Sequence, residues 1–250
     1  GATVIAGMGE LHLDVLVDRI RREFAVAARV GRPQVAYRET VTAPARARGE
    51  VAGPVAGASH GRFAEVELVV EPRARGAGYR YTFAAADTAI PKPFRQALRA
   101  GIDEAVERGV IAGFPMTDLA VTVVGGLSHP VDSSDQAFKL AGTKALIAAA
   151  SGVATVLEPV MQLEVVTPDD TVGEVLGDLH ARRGKITGIA ARPGVQTVAC
   201  FVPLATMHGY ATDLRSTTRG RATFSMQLSH YQEAPHNVRD ELSHSNSKRT

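Results

Sequence analysis

Met161-Gln162-Leu163-Glu164-Val165-Val166-Thr167-Pro168-Asp169-Asp170 reads as a strand that hands over to a helix. Met161 to Val166 is the strand. Thr167-Pro168-Asp169-Asp170 is a helix start, with proline at the first position and acids in the first turn. Val172, Val175, Leu176 and Leu179 form the apolar stripe of that helix. Arg182-Arg183-Gly184 closes it, where cations suit the negative end of the helix dipole. Two strands follow, Ile186 to Ala191 and Val195 to Val202, joined by a turn at Pro193-Gly194. A second helix carries Met207, Tyr210, Ala211 and Leu214, and a last strand runs from Ala222 to about Tyr231. The order β-α-β-β-α-β is the split βαβ pattern of the ferredoxin-like plait, expected over residues 158–238. Polar residues 239–250 are expected to form a frayed, flexible tail.

Upstream, residues 41–157 read as a separate domain. Its first part, 41–57, is rich in Ala, Gly and Pro and is expected to be a linker or an irregular edge. Phe63 to Glu71 then alternates, with Val66, Leu68 and Val70 on one side and Glu65 and Glu67 on the other. Tyr79 to Phe83 alternates again. A helix with Phe94, Ala97, Leu98, Ile102, Ala105 and Val106 on one stripe stops near Gly109. A strand from Asp118 to Val124 leads through a loop into a second helix. Ser133, with Gln136 three residues on, fits a capping box at its start. Phe138, Ala141 and Ala145 line its inner face.

Residues 1–40 read as part of a domain. Thr3-Val4-Ile5-Ala6 is a strand leading through Gly7-Met8-Gly9 into a helix with Leu13, Leu16, Val17, Ile20 and Phe24 on one face. A short extended piece, Ala25 to Val30, precedes Gly31-Arg32-Pro33. A strand–helix–strand of about 30 residues cannot bury its own apolar face, so partners are expected elsewhere. The fold class is therefore α+β.

The chain has 250 residues with a formal charge of +2, 45% hydrophobic and 22% charged residues, ordinary values for a globular protein. That charge neither demands nor excludes a nucleic-acid partner. No run approaches the roughly 18 apolar residues of a membrane helix, and Gly1-Ala2-Thr3-Val4 carries no signal sequence, so a cytoplasmic location and no membrane partner are expected. The single cysteine, Cys200, excludes an internal disulfide framework and a cysteine-rich zinc site, and its mid-strand position reads as packing.

No catalytic, nucleotide or metal site emerges from the residues. Gly57-Ala58-Ser59-His60-Gly61 fits G-x-S-x-G, but the nucleophile elbow needs a strand before the serine and a helix after it. Here Gly53-Pro54 precedes and a strand follows from Phe63, so the reading is a glycine-rich loop rather than an esterase using Ser59. His129, Asp132 and Ser133 crowd into five residues and read as an exposed histidine beside helix-capping groups, not a triad. No phosphate loop, G-x-G-x-x-G, H-E-x-x-H or C-x-x-C occurs. Arg182-Arg183 reads by itself as a solvated helix end.

Longer stretches resemble elongation factor G. Gly7-Met8-Gly9-Glu10-Leu11-His12-Leu13-Asp14 and Gly31-Arg32-Pro33-Gln34-Val35-Ala36-Tyr37-Arg38-Glu39-Thr40 are similar to the second half of that family's third domain. Phe63 to Gly113, His129-Pro130-Val131-Asp132-Ser133-Ser134 and Ala137-Phe138-Lys139 resemble its fourth. Leu157-Glu158-Pro159-Val160-Met161, Gly177-Asp178-Leu179 with Arg182-Arg183-Gly184, and Gly209-Tyr210-Ala211-Thr212-Asp213-Leu214-Arg215-Ser216 resemble its fifth, and His230-Tyr231-Gln232-Glu233 its ending. The resemblance implies a partial ferredoxin-like plait over 1–40, a domain like the second domain of a small-subunit ribosomal protein over 41–157, and a complete ferredoxin-like plait over 158–238. It also implies a translocase whose fourth domain enters the decoding site, meeting rRNA, tRNA and mRNA, and whose fifth lies near the stalk base. Its GTP and magnesium would sit in a GTPase domain that this chain lacks, so no cofactor is expected here. The implied RNA-contacting residues are Ser128, His129, Pro130, Asp132, Ser133 and Ser134, with His60 and Arg62 from the neighbouring loop and Arg182 and Arg183 from the fifth domain. The family's Gly-Gly-Arg-Gly-Gln-Tyr-Gly-His-Val is Ala58 to Val66 here, and Asp87-Thr88 stands where it has Gly-Gly. A tetracycline ribosomal-protection protein shares the architecture, but the stretches 129–134 and 210–216 favour the translocase.

Overall fold

The computed structural model describes residues 10–24, 35–53 and 63–247. The chain divides into two units, residues 37–157 with 231–250, and residues 1–36 with 158–230. Helix α1 is Glu10–Phe24. The expected strands at Thr3–Ala6 and Ala25–Val30, and the residues Ser59, His60 and Arg62, lie outside the described residues.

Alternation builds the sheet of the first unit. In β3 (Ala64–Pro72), Ala64, Val66, Leu68 and Val70 are fully buried. In β5 (Leu119–Leu127), Leu119, Val121 and Val123 face the same way. Antiparallel β2 (Ala45–Val51) flanks β3, and β4 (Arg80–Phe83) runs parallel to β5, giving the order β2-β3-β5-β4. The stretch expected to be a linker or an irregular edge thus holds, over Ala45–Val51, a regular strand at the edge of the sheet. Alanine and glycine at 45, 47 and 49 hid it, because small residues are what the covering helix tolerates. A Cβ on Gly49 would sit 2.2 Å from the carbonyl oxygen of Ala141.

That helix is α3 (Asp135–Ala150), and beside it lies α2 (Arg95–Arg108). Leu98, Ile102, Phe138, Ala141, Ala145 and Leu146 fill the core between helices and sheet, and Phe94 stacks on Phe138 with ring centres 5.0 Å apart. The helices cross on glycine. A Cβ on Gly101 would lie 2.1 Å from the Lys139 carbonyl oxygen, and Thr143 Oγ1 donates to the Gly101 oxygen at 2.9 Å.

Strand β1 (Arg38–Val41) pairs antiparallel with the opening residues of β6 (Ala154–Pro168), and it carries a buried carboxylate. Glu39 accepts the backbone N–H groups of Val110 and Ile111 on Oε2 and of Ala112 and Phe114 on Oε1, at 2.6 to 3.1 Å. Four donors solvate the charge that burial would otherwise penalise, and the loop after α2 is moulded around it.

In the second unit β6, β7 (Lys185–Arg192), β8 (Val195–Pro203) and β9 (Thr223–Glu233) take the order β9-β6-β8-β7. With α4 (Val172–Ala181) and α5 (Tyr210–Thr217) this is the ferredoxin-like order. Leu163, Val165, Val175, Leu179, Val198, Cys200, Val202 and Tyr210 form its core. The helix begins later than its sequence suggests. Asp169–Thr171 is a 3-10 turn, Thr167 Oγ1 and Thr171 Oγ1 are hydrogen-bonded at 2.8 Å, and α4 starts at Val172.

The expected frayed tail also differs. His236–Ser247 forms α6, and Val238 and Leu242 pack on Ala112, Val156 and Ala234. Arg239 Nη1 donates to Thr155 Oγ1 at 3.0 Å, and the Ala234 amide to the Val156 oxygen at 2.9 Å. Two apolar residues one turn apart are enough to dock a helix that otherwise looks polar.

Candidate functional site

Between β5 and α3 the chain makes a seven-residue loop, Ser128 to Ser134, at one end of the sheet. The N-cap of α3 is Ser134, whose Oγ accepts the Ala137 amide at 3.2 Å, one residue later than the capping box at Ser133. The serine hydroxyl at 133 has other work. It accepts the His129 amide at 2.8 Å and donates to the Phe63 carbonyl at 2.8 Å. The Phe63 amide returns a bond to the Asp132 oxygen at 2.7 Å, and the Ser133 amide donates to the His129 oxygen at 3.2 Å. Phe63 immediately precedes β3, so these bonds tie the loop to the residue that follows Arg62 in the chain.

His129 closes the loop from its side chain. Nδ1 lies 3.2 Å from the Asp132 amide, 3.4 Å from the Val131 amide and 3.1 Å from Asp132 Oδ2. About half of the His129 and Asp132 side chains is exposed (52% and 46%), and Val131 is exposed too. This is not a Ser-His-Asp triad: Ser133 Oγ gives its hydrogen to a backbone carbonyl, not to the imidazole, so no base activates it. Under the loop, Gly126 lies against Ile90, where an added Cβ would come within 2.9 Å of the Ile90 side chain. Asp87, one of the two residues that depart from the Gly-Gly of the resembled pattern, pairs with Arg95 and Lys92. The Arg95 hydrogen bond, then its charge, hold the Asp87 carboxyl below the usual carboxylate range.

Arg182 and Arg183 belong to the other unit, and Arg182 differs from the solvated helix end its sequence suggests. Its side chain is only 13% exposed. Nε donates to Asp178, Nη1 to the carbonyls of Thr206 and His208, and Nη2 to Asp213, while the guanidinium lies 5.2 Å from the Tyr210 ring centre. The side chain clamps the turn between β8 and α5. Arg183, at φ 65°, pairs with the fully buried Glu158. Neither clamp was legible in a bare Arg-Arg-Gly. The Asp178 to Arg182 spacing of four on a helix was the only signal. Cys200 is buried, and burial pushes its thiol up to about 11, which suits packing rather than nucleophilic chemistry. Among the described residues no cluster of acids, histidines and cysteine is placed to hold a metal, and no helix is long and apolar enough to cross a membrane.

Comparison with known proteins finds three family models along the chain. Residues 1–32 match the family model for elongation factor G domain III, residues 33–152 that for elongation factor G domain IV, and residues 155–242 that for the elongation factor G C-terminus. A crystal structure of a protein from Thermus thermophilus is similar at 32% identity with a TM-score of 0.78, over 97% of this chain and 36% of that one. The chain thus spans about a third of the length of this structural relative. With three successive domain models matched in family order along nearly its whole length, the chain belongs to the elongation factor G family, as a carboxy-terminal portion of it.

Proposed function

We propose that this chain is the ribosome-contacting part of an elongation factor G-like translocase, and that the Ser128–Ser134 loop, together with His60 and Arg62, meets RNA in the decoding region. The observation that carries the reading is the loop itself: short, solvent-facing, closed by its own hydrogen bonds, and set in the domain IV match. Short loops on a rigid scaffold are where binding residues sit, and histidine donates to phosphate or 2′-hydroxyl groups and stacks on bases. In this reading GTP and magnesium are bound by a GTPase domain joined to this part, which works in the cytoplasm and contacts tRNA, mRNA and rRNA of the decoding region and stalk base. Arg182 then supports the fifth-domain surface from within rather than touching RNA.

The test is to replace the corresponding part of a GTPase-competent elongation factor G with this chain and to compare it with its His129→Ala variant. Rapid-mixing translocation should slow, while ribosome-stimulated GTP hydrolysis and the melting temperature stay nearly unchanged. Unaltered translocation in His129→Ala would sink the assignment of the loop.

A further inference from the structure

The loop also selects the chemical form of His129. A backbone amide always carries its hydrogen, so the ring atom approached by two of them must offer a lone pair. Nδ1 is that atom, facing the amides of Asp132 and Val131 at 3.2 and 3.4 Å. In the neutral imidazole the single proton then resides on Nε2. Nε2 has no hydrogen-bond partner among the described residues, and the side chain is half exposed (52%). The Asp132 carboxylate, 3.1 Å from Nδ1, is the only charged group of its own loop beside the ring.

We propose that His129 is a dedicated Nε2–H donor, preset by its loop for an oxygen acceptor on the RNA backbone, and that Ser133 is the positioning residue that holds it so. This rests on the ribosome-contacting reading above. A histidine free in solution interchanges tautomers and rotamers, and fixing one on binding weakens association. Here the choice is made before RNA arrives. Ser133 Oγ accepts the His129 amide and donates to the Phe63 oxygen, each at 2.8 Å, which holds the His129 backbone where its ring reaches the two amides.

The tautomer is tested without the ribosome. The chain, labelled with 15N-histidine, has eight histidines, and loss of one signal set in His129→Ala identifies the residue. In its neutral form His129 should show the Nε2–H tautomer alone. A dominant Nδ1–H form, or an even mixture, overturns the proposal. Ser133→Ala should let the second tautomer appear and Ser133→Thr, which keeps the hydroxyl, should suppress it. A Ser133→Ala spectrum like the parent's removes Ser133 from the argument.

Translocation in the chimaeric factor tests the donor. Asparagine places an oxygen where Nδ1 lies, and glutamine a nitrogen donor near Nε2. His129→Gln should translocate close to the parent and His129→Asn roughly tenfold or more slowly, as for loss of a bond to a charged acceptor. Equal losses in both overturn the donor assignment and leave the loop's ribosomal role standing. No loss in His129→Ala overturns both readings, whatever the tautomer. An mRNA with 2′-deoxy sugars in the codon separates the sources: loss of glutamine's advantage marks a 2′-hydroxyl, and its persistence a phosphate.

Discussion

At the scale of single residues, the interior of this protein uses charge where an apolar core would be the simpler solution. Glu39 is fully buried in β1, yet its two oxygens collect four amides from the loop after α2. Glu39→Ala leaves those donors without acceptors and is expected to cost about 3–5 kcal/mol, the range for breaking a buried charged network. Glu39→Gln should cost less but not nothing, because whichever way its amide turns, an NH2 group faces two backbone N–H groups. Urea unfolding followed by circular dichroism measures both, and equal stability of the alanine variant and the parent would refute the anchoring role. Arg182 shows the same economy, joining α4 to the turn before α5 through one guanidinium.

At the scale of elements, close approach decides which residues are tolerated. Helices α2 and α3 touch through Gly101, where a Cβ would overlap the Lys139 carbonyl at 2.1 Å. Gly101→Ala raises intrinsic helix propensity by about 1 kcal/mol, yet the crossing must open to admit the methyl. Overpacking of this kind costs about 1–3 kcal/mol. The expected net effect is therefore a lower melting temperature, and a rise in thermal denaturation would show that the helices separate freely. The same logic covers β2, whose alanines and Gly49 look like a linker in sequence and are a strand under α3.

At the scale of the whole molecule, surface ion pairs give the fold an acid limit. Hydrogen bonds from Arg46 and Arg48 hold the Glu67 carboxyl below its ordinary range, Arg95 does so for Asp87, and Arg221 for Asp170. In each the folded state favours the ionised form, so the unfolded chain binds more protons as the solution is acidified. Their contribution is complete above the ordinary carboxylate value of about 4 and is lost as pH falls through the depressed folded values. Asp87 and Asp170 are exposed, and Glu67, 16% exposed, pairs with exposed arginines, so salt screens these pairs and the decline should be gradual and shallower at high ionic strength. Urea midpoints at several pH values test this. A flat profile between about pH 5 and pH 3 at low salt would remove these pairs from the stability of the fold.

Local periodicity in the amino-acid sequence was enough to establish the α+β class, the β-α-β-β-α-β order of the second unit and the buried face of β3, because alternation and helical stripes report burial directly. The ordered motifs from Gly7 to Glu233 were enough to establish the family. Tertiary structure decided what short-range pattern cannot encode. It made β2 a strand because α3 lies across its small residues, and it made 236–247 a helix because Ala112, Val156 and Ala234 offer Val238 and Leu242 a surface. It turned Arg182 inward, since its acceptors at Thr206, His208 and Asp213 lie 24 to 31 residues along the chain. It moved Ser133 from helix cap to joint, because its acceptor, the Phe63 carbonyl, lies 70 residues away, a distance across which no local propensity acts.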